Sequence, residues 1–155
     1  MLSMNEKFSF EDYIELNGSL TYTNVGVSML PLLREGKDMF IVSKRNGERC
    51  RVGDVVLYRR PPKKYVLHRI IQVRPDDYVI LGDNCINKEY GIKDNDIIAV
   101  MTGYIRNGKE HNVSEKGYRL YSFIFLNTIP LRTGLKRLII KLKSLIRKIV
   151  RHEKK

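Results

Sequence analysis

The first part of the chain has the signals of a short capped helix followed by an extended segment. Ser9 is suited to cap the helix, because its hydroxyl can accept a hydrogen bond from the first turn while Asp12 accepts one in return. Gly18 marks the end of the helix. Residues 19–27 alternate in polarity and are rich in β-branched and aromatic residues, which predicts an extended segment.

Residues 39–113 consist of short alternating runs separated by Gly, Pro, Asn and Asp. Such runs are typical of β-strands joined by turns. The pattern predicts a mainly β domain, built as a barrel or a sandwich, with a short N-terminal helix. The predicted strands are 39–44, 55–59, 65–73, 78–81 and 97–106, with a return strand near 111–113.

After residue 130 the apolar residues recur with the period of a helix. The pattern predicts an amphipathic helix over 131–152, distinct from a domain of residues 1–130, and only Ile140 falls on the wrong face. The apolar stripe contains Leu131, Leu135, Leu138, Leu142, Leu145 and Ile149, widened by Ile139, Ile146 and Val150. The basic face contains Lys136, Arg137, Lys141, Lys143, Arg147, Lys148 and Arg151.

The net charge of +12 is concentrated in this C-terminal region. Residues 131–155 contain ten Lys and Arg residues and one acid, Glu153, so +9 belongs to them and +3 to residues 1–130. The weak charge of the domain argues against a nucleic-acid partner. An anionic membrane surface fits the helix. Packing on the domain or on a second copy is the alternative, and the oligomeric state stays open.

The sequence also indicates the compartment. Residues 1–10 are polar and do not form a secretory signal, and no apolar run reaches the length of a transmembrane helix. Cys50 and Cys85 form neither a disulfide framework nor a metal pattern, so we expect free thiols in a reducing compartment. These features predict a cytoplasmic protein, peripheral on the membrane if the C-terminal helix binds lipid, with no metal and no cofactor.

Three residues have settings that suit a catalytic triad. Ser28 lies between Gly26 and Pro31, in a constrained turn that could present its hydroxyl as a nucleophile. His68 lies among apolar residues of a predicted strand, where partial burial favours the neutral imidazole that a general base requires. Asp83 follows the next predicted strand and offers a carboxylate to orient the imidazole.

A regular hairpin would bring two of these residues together. If residues 65–73 and 78–83 pair without a bulge, opposed residues have numbers that sum to 151, so His68 faces Asp83. Directly opposed residues have Cβ atoms about 5 Å apart on the same face of the sheet. A bulge would shift the register by one residue and separate this pair.

Four short segments follow one another in a recognisable order. They are Ser28-Met29-Leu30-Pro31, Gly53-Asp54-Val55-Val56, His68-Arg69-Ile70-Ile71 and Gly82-Asp83-Asn84. Together, over about residues 26–100, they resemble the type I signal peptidase superfamily of serine peptidases. The match is to the branch with a histidine base, as in the endoplasmic-reticulum and sporulation-type enzymes. The resemblance implies a signal-peptidase-like coiled sheet or β barrel, with Ser28 as nucleophile and His68 as base.

The chain departs from the pattern of this family in two ways, and one family feature adds a second candidate acid. Members usually have an N-terminal membrane helix, which is not expected here. Many have a Ser or Thr where Gly26 stands, so oxyanion stabilisation would depend on backbone N–H groups. In the histidine branch a second acid follows about six residues after the Asp, at the place of Glu89. The hairpin count favours Asp83 as the partner of His68, and the family pattern makes Glu89 the alternative acid.

The favoured function is a serine endopeptidase that cleaves extended, signal- or leader-peptide-like segments through an acyl-enzyme on Ser28. By resemblance, the residues near the cleaved bond are small. One alternative is a self-cleaving repressor-type peptidase of the same superfamily, in which Lys63 or Lys64 would supply a lysine base. The other is a non-catalytic adaptor on a membrane surface, in which the triad residues are ordinary turn and packing residues.

Overall fold

The computed structural model describes residues 9–62 and 64–152, with side chains as far as residue 147. Lys63 and Glu153 lie outside the described residues, as do the side chains of Lys148, Ile149, Val150 and Arg151. The helices are α1 (Phe10–Asn17), α2 (Lys116–Asn127) and α3 (Ile129–His152), and a short 3-10 turn covers Asp94–Asp96. The strands are β1 (Ser19–Thr23), β2 (Met39–Lys44), β3 (Val55–Arg60), β4 (Lys64–Val73), β5 (Tyr78–Leu81), β6 (Glu89–Ile92), β7 (Ile97–Arg106) and β8 (Lys109–Asn112).

The strands form one antiparallel sheet in the order β1-β2-β7-β3-β4-β5-β6, with β8 paired to β7. The prediction of a mainly β domain is confirmed. Across the described ranges the sheet is not closed, because β1 and β6 do not pair, and no second sheet is present, so the strands form neither a closed barrel nor a two-sheet sandwich. After β1 the chain turns at Gly26, and the backbone of Ser28 bonds to that of Asn84 instead of extending the sheet.

Most of the local predictions agree with the structure, although β1 ends at Thr23, four residues before the end of the predicted extended segment. In α1, Asp12 N donates to Ser9 Oγ and Ser9 N donates to Asp12 Oδ2, each at 3.1 Å, so both bonds of the capping box are present. Gly18 ends the helix with a φ of 75°. β2, β5 and β7 have the predicted bounds, and β3, β4 and β8 differ by at most two residues at an end. Neither β6 nor α2 was predicted.

Apolar side chains are buried on both faces of the sheet. One cluster joins α1 to one face and includes Met29 and Leu33, which follow Ser28 in the chain. The other face buries Tyr58, Ile70, Tyr78 and neighbouring residues. Because Met29 is 1% exposed and Leu33 0%, core packing fixes the turn that presents Ser28.

The two long helices follow the sheet in the chain and cover the end of β5. Leu81 packs against Phe125 of α2 and Ile129 of α3. The predicted C-terminal helix is confirmed, although it begins at Ile129 rather than at residue 131. Among the described residues, no helix is both long enough and apolar enough to cross a membrane.

Candidate active site

A β-bulge in β4 decides which acid lies near His68. Val73 pairs with Tyr78 as predicted, but Ile71 is extra, so Ile70 pairs with Ile80. The register beyond the bulge is shifted by one residue. The predicted pairing of His68 with Asp83 is therefore wrong.

Asp83 instead forms a buried ion pair with Arg69. The Arg69 Nε donates to Asp83 Oδ1 at 3.0 Å and its Nη2 to Oδ2 at 2.8 Å. Both side chains are fully buried. Burial opposes the charge of Arg69, but the hydrogen bonds and the charge of Asp83 outweigh it and raise the arginine pKa. Tyr121 OH also donates to Asp83 Oδ2 at 2.8 Å, which joins α2 to the loop after β5.

His68 contacts Glu89, the second candidate acid. The His68 Nδ1 lies 3.1 Å from Glu89 Oε1, and Tyr58 OH lies 3.4 Å from the same nitrogen. Arg60 pairs with both carboxylate oxygens and donates from Nε to Oε2 at 2.9 Å. Because a carboxylate only accepts hydrogen bonds, the neutral ring carries its proton on Nδ1 and leaves Nε2 as the basic nitrogen.

The environment of His68 favours the neutral imidazole. Its side chain is 7% exposed, and this burial lowers the pKa below the ordinary 6.5, while the charge of Glu89 acts in the opposite direction. Among the described residues, the side-chain hydrogen bonds of His68 are all made through Nδ1, and none is made through Nε2. An uncharged ring whose second nitrogen is unbonded is suited to accept a proton.

Gly82 lies directly against the His68 ring, where the absence of a side chain avoids a clash with Nε2. A Cβ at this position would lie 2.8 Å from His68 Nε2 and 2.7 Å from Cys85 Sγ. Any side chain at position 82 would therefore displace the imidazole or the thiol. This close approach explains the glycine of the Gly82-Asp83-Asn84 segment.

The same segment fixes the backbone of Ser28. Asn84 N donates to Ser28 O at 2.7 Å, and Asn84 Nδ2 donates to Val27 O at 2.9 Å. The loop that contacts the imidazole through Gly82 thus bonds directly to the turn that contains Ser28. On the described part of the chain, no hydrogen-bond acceptor is found for the backbone N–H of Ser28.

A buried carboxylate anchors the other end of this turn. Arg34 Nη2 donates to Asp38 Oδ1 at 2.7 Å, and Arg106 Nη2 donates to Asp38 Oδ2 at 2.9 Å. Burial raises the pKa of Asp38, but the two guanidinium groups outweigh it and lower the pKa far below its ordinary value. Arg106 also donates to Leu32 O at 2.8 Å, so the cluster fixes the chain that follows Ser28.

Ser28 and His68 line one cavity of about 850 Å³, together with Glu89 and Cys85. Among residues 9–62 and 64–152, no hydrogen bond joins Ser28 to His68, and none joins Asp83 to His68. The wall of the cavity is largely apolar and aromatic, formed by Phe10, Tyr22, Phe40, Leu57, Tyr65 and Leu67. Lys64 lines it as well. The structure therefore brings serine, imidazole and Glu89 to one cavity, whereas Asp83 is buried and not part of its lining.

Several residues of this site were not found from the sequence. Arg69 had a signal, since the alternation of β4 puts it on the same face as Leu67, and a buried arginine needs an acidic partner. Arg60 gave no signal, because its ion-pair partner Glu89 lies on β6, a strand that the sequence did not predict. Among the described residues, no group of three or more His, Cys, Asp or Glu could bind a metal ion.

Comparison of the chain with protein-family models, with curated proteins and with solved structures finds no match.

Proposed function

We propose that the chain is a serine endopeptidase in which Ser28 is the nucleophile, His68 the general base and Glu89 the residue that orients His68. One observation carries the proposal: a buried imidazole bonds to a carboxylate through Nδ1, and His68 and Ser28 line the same cavity. The resemblance of four segments to the signal peptidase superfamily supports the same roles. Asp83 serves as a structural residue in this proposal.

The reaction follows from these positions. His68 Nε2 takes the proton of Ser28 Oγ as that oxygen bonds to the carbonyl carbon of the peptide, and the Ser28 N–H stabilises the oxyanion. The tetrahedral intermediate releases the amine, which leaves with the proton from His68. Water then gives a proton to His68 as its oxygen attacks the ester on Ser28, and His68 returns that proton to Ser28 Oγ as the acid product leaves.

Substrate binding must complete the arrangement, because Ser28 and His68 are not hydrogen-bonded in the unliganded chain. Core packing and Asn84 already fix the backbone of Ser28, so only its side chain and the substrate need to adjust in this proposal. Catalytic hydrogen bonds are often long in free enzymes and shorten in the complex.

The cavity favours an extended peptide with apolar side chains. β1 is an edge strand, and the chain that continues it from Asn24 to Ser28 lines the cavity opposite β4. An added strand can therefore bond to the unpaired edge of β1, whose Tyr22 and Thr23 line the cavity, while its side chains contact the apolar wall. By resemblance, small residues flank the cleaved bond. This substrate class matches signal- or leader-peptide-like segments.

The proposal is tested by labelling the folded protein with a fluorophosphonate probe, which phosphonylates activated serines, and measuring the intact mass and the modified peptide. We expect one label on Ser28, and none in Ser28→Ala or His68→Ala. Ser114→Ala is the matched control, because Ser114 is exposed and lies outside the cavity, and its labelling should equal that of the parent. Absence of label on folded parent protein would favour the non-catalytic adaptor.

The same mass spectra test self-cleavage. A chain that loses an N-terminal fragment during incubation, in the parent and not in Ser28→Ala, would indicate the repressor-type activity. Lys64→Ala would then block the fragment if a lysine is the base, whereas His68→Ala would block it if the histidine is.

Gly82→Ala should reduce the rate of Ser28 labelling by about 100-fold, the typical effect of displacing a catalytic group by about 1 Å. The added methyl would lie 2.8 Å from His68 Nε2 and force the ring to move. Gly117→Ala is the control, because nothing lies within 4 Å of a Cβ there and its backbone suits any residue. An unchanged labelling rate in Gly82→Ala would contradict the position assigned to the imidazole.

A further inference from the structure

Helix α3 has an inner face that bonds to the loop of the candidate site. Arg132 Nη1 donates to Asp83 O at 3.1 Å, and Lys136 Nζ donates to the backbone and side-chain oxygens of Asn84. Ile129 is buried against the domain. The start of α3 is therefore fixed to the body of the protein.

The apolar stripe of α3 is turned from that inner face by about a right angle. At 100° per residue, the centre of the stripe lies roughly 100° from the direction of Arg132 and Lys136. The side chains of the stripe up to residue 146 are 42–73% exposed. Every residue from 137 to 147 is exposed. The exposed stripe consists of Leu131, Leu135, Leu138, Ile139, Leu142, Leu145 and Ile146.

Helix α2 is built in the same way. Tyr118, Tyr121 and Phe125 face Arg69 on its inner side. Leu120 and Phe123, on the other side, are 61% and 65% exposed. Both helices thus use one face to stabilise the site and leave an apolar face uncovered, which is unusual for a helix of a monomeric soluble domain.

The charge of α3 indicates what covers the stripe. From residue 129 to 147 the chain contains six Lys and Arg residues and no Asp or Glu. Lys141 and Lys143 flank the stripe on its two sides. A second copy would bring two such helices together with like charges and no acid on either, whereas an anionic surface complements both the charge and the apolar stripe.

We propose that the outer face of α3 binds an anionic membrane surface, with its apolar stripe in the acyl–headgroup boundary and its lysines at the headgroups. The exposed Leu120 and Phe123 of α2 add to this surface. Because the inner face of α3 remains bonded to Asn84, binding through the outer face would bring the candidate site to the membrane surface. The proposal does not depend on the peptidase activity.

The full chain is mixed with vesicles of phosphatidylcholine, with or without phosphatidylglycerol, and binding is measured by flotation. We expect the affinity to be at least about tenfold higher for the anionic vesicles and to fall as salt is raised. The double variant Leu138→Ser/Leu142→Ser should bind on the order of 100-fold more weakly, since two buried leucines are lost.

Ile140→Ser is the matched control, because Ile140 is 54% exposed, like Leu138 at 53%, but lies on the opposite side of the helix. It should change binding less than about threefold, well under 1 kcal/mol. Circular dichroism of each variant checks that the helix persists. The proposal is overturned if anionic vesicles do not bind, or if Ile140→Ser weakens binding as much as the stripe variant. A dimer that the stripe variant dissociates, without vesicle binding, would assign the face to a second copy.

Discussion

Asp83→Ala is expected to lower the free energy of unfolding by about 3–5 kcal/mol, the usual cost of removing one partner from a buried ion pair. The variant leaves the Arg69 guanidinium without a counter-charge in a site where both side chains are fully buried. It also removes the acceptor of Tyr121 OH, which connects α2 to the site. Urea unfolding followed by circular dichroism measures the loss.

Asp77→Ala is the matched control for this experiment. Its partner Arg74 lies in the hairpin turn, and the two side chains are 38% and 21% exposed, so we expect a loss below about 1 kcal/mol. The double variant Arg69→Met/Asp83→Ala should lose less than the sum of the single variants, because no unpaired charge is left. An Asp83→Ala protein as stable as the parent would disprove the structural role assigned to this carboxylate.

Glu89→Gln is expected to slow labelling of Ser28 by on the order of 10²- to 10⁴-fold, the range for loss of the charge that orients a catalytic histidine. The amide keeps the shape of the side chain but can offer its NH₂ to Nδ1, which favours the wrong tautomer. The Glu89 side chain is 23% exposed and the amide can still accept hydrogen bonds, so the free energy of unfolding should change little. Labelling rates from intact mass, with unfolding curves for the same samples, separate the two effects.

The pH profile distinguishes an orienting role from a structural one. Labelling needs neutral His68, so it is present above the histidine pKa and lost as the pH falls through it; burial sets this midpoint below the ordinary 6.5. The charge of Glu89 raises the same pKa, so Glu89→Gln should move the acid limb to still lower pH. Glu110→Gln, an exposed change on β8, should leave rate and profile unchanged. An identical profile in Glu89→Gln would refute the assigned contact.

The features of this fold that depend on neighbouring residues were predictable from the sequence. The capping box of α1 and the bounds of β2, β5 and β7 follow from side chains that bond or alternate within a few positions. α2 was not predicted, because Glu115 gives it no side-chain cap and its aromatic residues have no strong helical preference. Its docking on Arg69 through three aromatic rings stabilises it instead.

The sequence by itself determined the candidate residues Ser28, His68, Asp83 and Glu89, the strand that contains His68, and the two-faced C-terminal helix. Only the tertiary structure decided which acid contacts which base. One extra residue, Ile71, shifts the register between β4 and β5, and a shift of one residue moves a side chain to the other face of a sheet. Such a bulge arises from packing between strands, which a local pattern does not contain.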